Sequence, residues 1–218
     1  MLVLAIDTSS AAVTAALFEV SDGVQPIAER VTVNARGHGE LLAPSIAACL
    51  REAQCGPSEL DAIVAGVGPG PFTGLRVGLV SAAVFSDLLG IPAFGVCSLD
   101  AIVPPAPPGE MLVATDARRK EVYWARYDVT GRRIEGPHVA RPADVPVGQA
   151  LAMAGAGAKL YADVLGLPLV GGDYPDPASL VAVAADRVRA GAPSQPLTPM
   201  YLRRPDAVAN PSVKRVTQ

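Results

Sequence analysis

The feature that most constrains the fold of this chain is a pattern of strands that occurs twice. An apolar run at residues 2–7 ends in an aspartate, and a second run follows at 13–20 after a short polar turn. The same arrangement returns at 111–116, which also ends in an aspartate, and at 121–128. Repetition of one supersecondary unit indicates an internal repeat. The sequence therefore predicts two related halves, of which the second is reduced.

The other elements are predicted from the periodicity of the apolar residues. In the first half, the predicted strands after the opening pair are 27–34, 62–67 and 92–97, and the predicted helices are 40–54 and 73–89. In the second half, the predicted strands are 136–141 and 150–155, and the predicted helices are 157–165 and 179–190. The order of the first half is thus βββαβαβ.

A proline-rich segment at 104–109 divides the chain, because consecutive prolines cannot continue a helix and stiffen a linker. The predicted domains are an N-terminal half at 1–103, which contains the interaction helices, and a reduced second half at 110–202. The remaining residues, 203–218, hold prolines and scattered polar residues without periodicity, so we expect a poorly ordered tail.

The repeated strand, aspartate, hairpin and strand, with helices behind them, resembles the plan of actin, sugar kinases and heat-shock chaperone ATPases. We therefore expect an α/β chain of the actin-like class, built from two RNase H-like halves. A shared fold does not establish ATPase activity, because function depends on the site.

The loops after the two aspartates bear on nucleotide binding. Phosphate loops of that superfamily place a glycine beside the aspartate, because backbone N–H groups must approach the phosphate oxygens closely. Here residues 7–10 read Asp-Thr-Ser-Ser and residues 116–119 read Asp-Ala-Arg-Arg, without glycine. Asp7 can orient a metal ion or a water molecule, or its carboxylate can bond to its own turn. The second interpretation is favoured.

A glycine-proline loop at 68–78 stands between a predicted strand and a predicted helix. Such a loop can present N–H groups to an anion, or it can be a tight turn in which Thr73 caps the helix and small residues form a ridge. The mechanical interpretation is favoured, because no lysine accompanies the loop as in a Walker motif. Under the alternative, the nucleotide or anion loop comprises Asp7, Thr8, Gly68, Gly70, Thr73 and Arg76, while the small-residue ridge is Gly74, Gly78 and Ala82.

Five stretches of the sequence together resemble the TsaB family. They are 6–9 (Ile-Asp-Thr-Ser), 38–42 (His-Gly-Glu-Leu-Leu), the 68–78 loop, 116–123 (Asp-Ala-Arg-Arg-Lys-Glu-Val-Tyr) and 197–203 (Leu-Thr-Pro-Met-Tyr-Leu-Arg). That family is a degenerate paralogue of TsaD, the catalytic threonylcarbamoyl transferase that modifies tRNA. The resemblance implies a non-catalytic subunit that binds and stabilises a TsaD-like subunit, with a TsaE-like ATPase in the same complex. It also implies a homodimer in isolation and contact with tRNA only through the complex.

The resemblance also bears on metal binding. In TsaD a histidine pair that binds a metal follows a strand ending in Gly-Val, and Ser98 and Ile102 stand where those histidines would lie. The chain has only two histidines, His38 and His138, and they are distant in sequence. We therefore expect no metal, no cofactor and no catalytic residue. The alternative function is an ATP-dependent small-molecule kinase or phosphohydrolase, for which residues 171–173 (Gly-Gly-Asp) are the nearest adenosine motif.

The two predicted helices of the first half are the basis for an interaction surface. The 73–89 helix is apolar nearly all round, with Arg76 and Asp87 its only charges, so it needs apolar cover on more than one side. The two helices either cover each other and the sheet or meet a partner, and the resemblance favours the partner. The expected interface residues are Leu42, Ile46, Cys49 and Ala53 of the first helix and Gly74, Gly78 and Ala82 of the second.

The charge balance argues against a chain that binds nucleic acid alone. The 18 basic and 21 acidic residues give a net charge of -3, without a strongly basic block for a phosphate backbone. We expect a partner to supply most of the affinity for tRNA. The tail bases Arg203, Arg204, Lys214 and Arg215 are either local helpers or a solubilising end. The charged turn at 118–121 is either solvated surface or a contact for a partner or nucleotide.

The expected location is the cytoplasm. The 3 cysteines show neither a CxxC pair nor a dense framework, which fits a reducing compartment. The N-terminal apolar run is too short for a signal peptide, and we expect no run of membrane-spanning length and no membrane contact.

Overall fold

The computed structural model describes residues 1–203, and two β-sheets form its frame. The strands in these residues are β1 (Leu2–Asp7), β2 (Ala12–Val20), β3 (Val24–Val33), β4 (Ala62–Gly66), β5 (Ala93–Val96), β6 (Met111–Asp116), β7 (Val122–Tyr127), β8 (Arg133–Ala140) and β9 (Ala152–Ala154). The α-helices are α1 (His38–Glu52), α2 (Phe72–Leu89), α3 (Ala156–Leu160), α4 (Ala162–Leu165) and α5 (Pro177–Arg189). The expected tail lies outside the described residues, apart from Arg203.

The first sheet has the strand order β3-β2-β1-β4-β5, with β1 antiparallel to β2 and parallel to β4. Strand β1 is almost entirely buried, because helices cover both faces of the sheet. Leu4 and Ile6 point into the core formed with α1 and α2, whereas Val3 and Ala5 point into the core formed with α5. A strand covered on both faces requires apolar residues at every position, and this explains the uninterrupted run that opens the sequence.

Helix α5 belongs to the first sheet by packing, although its residues lie in the range assigned to the second half. Its buried residues Leu180, Val181 and Ala184 join the core on the face opposite α1 and α2. Asp176 is its N-cap and accepts a hydrogen bond from the backbone N–H of Ser179 at 2.7 Å. The chain therefore returns from the second half to complete the first, and the packing does not follow a single cut in the sequence.

The second sheet has the order β8-β7-β6-β9, with β6 antiparallel to β7 and parallel to β9. Helices α3 and α4 cover one face, and the segment that follows β5 covers the other through Leu99 and Ile102. Each half therefore opens with an antiparallel hairpin whose first strand also has a parallel neighbour. This confirms the repeated opening and the order βββαβαβ, and the architecture is α/β of the actin-like class.

The expectation that no run reaches membrane-spanning length is corrected by α2. This helix has 18 residues and is apolar enough to cross a membrane by length and composition alone. Its buried residues Leu75, Leu79 and Ala82 pack on the first sheet with α1. Its length and apolar surface are therefore those of a helix that packs on a sheet along one side and is exposed along the other.

Candidate functional site

Asp7, the last residue of β1, is only 2% exposed. Its Oδ1 accepts hydrogen bonds from the backbone N–H of Ser9 at 2.9 Å and from Ser9 Oγ at 2.8 Å, and its Oδ2 accepts one from Ser98 Oγ at 2.6 Å. Burial raises the pKa of Asp7, and the hydrogen bonds from Ser98 and Ser9 oppose that rise. Both oxygens of the carboxyl group thus have protein partners.

Neighbouring backbone also closes the approach to this carboxyl group. A Cβ atom on Gly66 of β4 would collide with Asp7 Oδ2, so this position requires glycine. Ser98 Oγ accepts a hydrogen bond from the backbone N–H of Gly68 at 3.2 Å while it donates to Asp7. Ser98, which stands in the sequence where TsaD has a metal-binding histidine, therefore connects Asp7 to the glycine-proline loop. The geometry agrees with a carboxyl group that bonds to its own surroundings.

The glycine-proline loop packs directly on the turn after β1. A Cβ atom on Gly70 would collide with the backbone carbonyl of Ser9. Thr8 Oγ1 donates to the carbonyl of Gly74 at 2.7 Å and accepts from the backbone N–H of Gly78 at 2.9 Å. Thr8 and the glycines thus hold the turn after β1 against α2, and this is the mechanical role that is the alternative to anion binding for the glycine-proline loop.

The expected cap of α2 is corrected by the structure. The N-cap residue is Pro71, and no side chain caps the helix there, so Thr73 lies inside the first turn and is exposed. Proline at the end of the loop fixes an extended conformation before the helix begins, which can define the helix start without a side-chain cap.

The residues expected at a subunit interface lie largely within the chain. The first group, Leu42, Ile46 and Cys49 of α1, is buried on the sheet, and Ala53 after that helix is half-buried against the same core. Gly74, Gly78 and Ala82 of α2 are buried against Thr8, Ile6 and α1. The expectation is corrected on this point, because close contact with β1 and α1 uses the small-residue ridge. A partner that docks on α2 would therefore contact the side of the helix opposite the small-residue ridge.

The opposite side of α2 is exposed and largely apolar. Its large residues are Phe72 (45% exposed), Val80 (60%), Val84 (48%) and Leu88 (79%). These residues and Arg76 recur every four positions, so each lies about 40° further round the helix than the one before, and Val80 and Val84 form the centre of this exposed stripe. The same spacing is present in the sequence and is the signal that could have identified this face.

A groove of about 650 Å³ runs beside this exposed face, between α2 and residues 194–201. At one end, the Arg76 guanidinium carbon lies 3.7 Å from the Phe72 ring centroid, and Arg76 Nε donates to Tyr201 Oη at 2.7 Å. The Phe72 and Tyr201 rings stack with their centroids 5.1 Å apart. Asp87 lines the groove as well. The Arg76 of the suspected anion loop is therefore held by two aromatic rings.

A second cavity, of about 740 Å³, lies between the two halves. Its walls include the turn after β1, the first turns of α1 and α2, and the β6–β7 turn with Asp116 and Arg118. His38, the first residue of α1, lines it and has Nε2 at 2.8 Å from the carbonyl oxygen of Ser10. This cavity is the interlobe cleft.

The two histidines do not meet. His138 lies on β8 in the second half, and its ring centroid is 5.1 Å from that of Trp124. Among residues 1–203, no group of three or more histidine, cysteine, aspartate and glutamate side chains is arranged to hold a metal ion.

Comparisons with known proteins identify the family. The profile of the family described as "TsaD: tRNA N6-adenosine threonylcarbamoyltransferase" matches residues 12–171. An uncharacterized protein of Mycobacterium tuberculosis is 52% identical over 94% of this chain and 93% of its own length. An uncharacterized protein of Mycobacterium leprae is also 52% identical, but the chain spans only 56% of that protein.

Named relatives and solved structures narrow the assignment. The Bacillus subtilis tRNA threonylcarbamoyladenosine biosynthesis protein TsaB is 33% identical over 62% of this chain and 58% of its own length. The solved structure of YeaZ from Pseudomonas aeruginosa matches this chain with a TM-score of 0.77 and 28% identity, and the match covers 92% of this chain and 99% of that one. The chain therefore belongs to the TsaD family and, within it, to the TsaB group.

Proposed function

We propose that this protein is a non-catalytic subunit of the machinery that forms threonylcarbamoyladenosine in tRNA. The single observation that supports this best is the exposed apolar face of α2, beside a groove on a chain of the TsaB group. Apolar patches of this kind mark protein–protein contacts. In this proposal the face docks a TsaD-like transferase, a TsaE-like ATPase joins the same complex in the cytoplasm, and tRNA is met through the complex.

The surroundings of Asp7 support a non-catalytic role. A catalytic carboxylate in an actin-like site needs access to a metal ion or water at the cleft. Here the N–H and hydroxyl groups of Ser9 bind one oxygen, the hydroxyl group of Ser98 binds the other, and the backbone at Gly66 leaves no room beside them.

The exposed face of α2 also fits a second copy of this chain. Arg76 and Asp87 are separated by 87 − 76 = 11 positions, or about three helical turns, so they lie on the same side. When two such helices cross antiparallel about a two-fold axis, Arg76 of each copy meets Asp87 of the other, with Val80 and Val84 between them. An isologous contact requires such self-complementarity. We propose this as the homodimer in isolation, which a TsaD-like subunit of related fold replaces.

The test is the pair of substitutions Val80→Glu and Val84→Glu in the full chain. Two charges in the centre of an apolar contact should abolish capture of the TsaD-like subunit from the native cell extract and convert the homodimer to a monomer. The control is Val183→Glu on the exposed side of α5, where the side chain is 47% exposed. Circular dichroism verifies folding. If the α2 variant still captures the transferase with unchanged affinity, the proposed docking face is wrong.

The alternative is an ATP-dependent small-molecule kinase or phosphohydrolase that uses the interlobe cleft. A nucleotide at 100 times its dissociation constant should then stabilise the isolated protein by about 2.7 kcal/mol. The proposed function predicts no nucleotide-dependent rise in Tm for the isolated chain. A rise of this size together with turnover would favour the enzyme.

A further inference from the structure

The turn between β6 and β7 presents three consecutive basic residues beside the interlobe cleft. Arg118, Arg119 and Lys120 are all exposed. Their φ angles are 63°, 52° and 61°, so all three occupy the left-handed region of backbone conformation. Residues with a side chain adopt this region at a cost in free energy, and glycine or asparagine is the usual choice for such turns. A turn selected only for its shape would use those residues.

The base of the turn is held firmly. The backbone N–H of Ala117 donates to the carbonyl of Glu121, and the N–H of Glu121 donates to the carbonyl of Arg118, each at 3.0 Å. Arg203 Nη1 donates to the carbonyl of Ala117 at 2.9 Å, and Arg203 Nη2 lies 3.1 Å from Glu121 Oε2. The exposed basic residues are therefore carried on a fixed backbone, and Arg118 Nε also lies 3.7 Å from Asp116 Oδ2.

The turn is a basic patch on an acidic protein. Residues 116–121 with Arg203 contain 4 basic and 2 acidic side chains, which gives +2. The net charge of the whole chain is -3, so the remaining residues carry -3 − 2 = -5. Arg36 lines the same cleft as Arg118, together with Asp116 and Asp173, so the excess of positive charge lies on the turn itself. Concentrated positive charge attracts a phosphate backbone even when the molecule as a whole is acidic.

We propose that this turn binds phosphate groups of an RNA backbone and is the part of this subunit that contributes to tRNA binding within the assembled complex. The inference rests on the proposed function, because the substrate class follows from it. The left-handed conformations of Arg118, Arg119 and Lys120 lower the stability of the fold, and this cost is explained if the three basic side chains are retained for binding. Phosphate is favoured over an acidic protein surface because the three exposed residues at the tip of the turn are long and cationic, without the apolar or aromatic core of a protein interface.

The test compares two variants of the full chain in complex with its TsaD-like partner. The turn variant is Arg119→Gly with Lys120→Gly, and the control is Arg51→Ala with Arg132→Ala, two exposed arginines elsewhere. Binding of an unmodified tRNA transcript is measured across a salt series. Removal of two phosphate contacts should raise Kd severalfold and lower the slope of log Kd against log salt by about 1.5, because each contact contributes about 0.7–0.9. The control should leave both values unchanged.

Thermal unfolding of the same variants supplies an independent measurement. Because glycine relieves the left-handed conformation, the turn variant should gain about 2 °C in Tm while it loses tRNA affinity. A Tm that does not rise would overturn the argument from backbone strain, and an unchanged salt slope would overturn the RNA contact. If affinity for the TsaD-like subunit falls while the salt slope is unchanged, the turn binds an acidic protein surface and the proposal is wrong.

The proposed function fails on a different measurement. If the wild-type chain adds nothing to threonylcarbamoyladenosine formation by the TsaD-like partner, then the assignment as a subunit is wrong. The comparison of the turn variant with its control can still be interpreted in that case, because it measures binding of the tRNA transcript and does not depend on threonylcarbamoyladenosine formation.

Discussion

The fold buries the carboxyl group of Asp7 away from water. Its partner Ser98 is 91 residues away in sequence, so the contact depends on how β1, β4 and β5 assemble. Burial raises the pKa of Asp7, and the folded chain therefore holds its proton more tightly than the unfolded chain does. Its contribution to stability is fully present below the unfolded pKa of about 4 and is lost as pH rises through the folded value.

Asp7→Asn tests this account. The amide keeps the size of the side chain and an acceptor for Ser9, but it does not ionise. We expect the variant to unfold at a higher urea concentration than the wild type at pH 7, and the difference to disappear as pH falls towards 4. Urea unfolding followed by circular dichroism between pH 4 and 8 measures both. A variant that is less stable than the wild type by the same amount at every pH would contradict the account.

Asp7 could be singled out from the sequence, and so could the favoured interpretation that its carboxylate bonds to its own turn, because a carboxyl group at a strand end has few structural roles. It could not identify Ser98 as its partner, since local patterns do not specify contacts between distant segments. Thr73 shows a similar limit. A threonine near a helix start is a good candidate for a cap, but the proline before it sets the boundary.

Helix α2 is the element with two apolar faces and two different roles. One face consists of small and aliphatic residues against the sheet, and the other places Phe72, Val80, Val84 and Leu88 outward. Its composition predicted that it would need cover on more than one side. The sequence alone does not show which face meets the sheet, because both faces are apolar, and it therefore predicts a partner contact for the small-residue ridge that the sheet and α1 in fact use.

Exchange of the two charges on α2 tests the antiparallel contact. Arg76→Asp or Asp87→Arg alone should weaken homodimerisation by about 1 kcal/mol or more, because each places like charges opposite each other. The double variant should restore much of the loss. Sedimentation equilibrium measures the dimer constant for all four proteins. If the double variant is as weak as the sum of the single variants, Arg76 and Asp87 do not meet across the two-fold axis.

At the scale of the whole molecule, the two halves are joined by a partly buried polar cluster as well as by the linker. Tyr127 Oη donates to Asp100 Oδ1 at 2.9 Å, and Arg133 Nη1 lies 3.3 Å from the same oxygen. Burial raises the pKa of Asp100, and the charge of Arg133 opposes that rise. The cluster fixes the second sheet on the segment that follows β5.

Tyr127→Phe should reduce the free energy of unfolding by about 1–2 kcal/mol, because the partly buried carboxyl group of Asp100 loses a donor. The control Tyr161→Phe removes a hydroxyl group from a half-buried position and should cost less than about 0.5 kcal/mol. Urea unfolding of the three proteins makes the comparison. Equal stability of Tyr127→Phe and the wild type would show that the hydrogen bond contributes nothing to holding the halves together.

The repeated opening of the two halves could be predicted because strand periodicity and the strand-end aspartates are local features. The return of α5 could not, because a helix with one apolar stripe can cover either sheet equally well. Only the assembled core shows that Leu180, Val181 and Ala184 meet Val3, Ala5 and Phe18.

The packing of α5 on the first sheet has a consequence for the order in which the protein can fold during synthesis. The ribosome releases β1 long before α5, so one side of the first sheet stays uncovered until residues 177–189 have emerged. During that interval Val3, Ala5 and Phe18 are open to the solvent and to other nascent chains. Folding of the first half is thereby coupled to synthesis of the chain through residue 189, and a premature stop within the second half would leave both halves without a finished core.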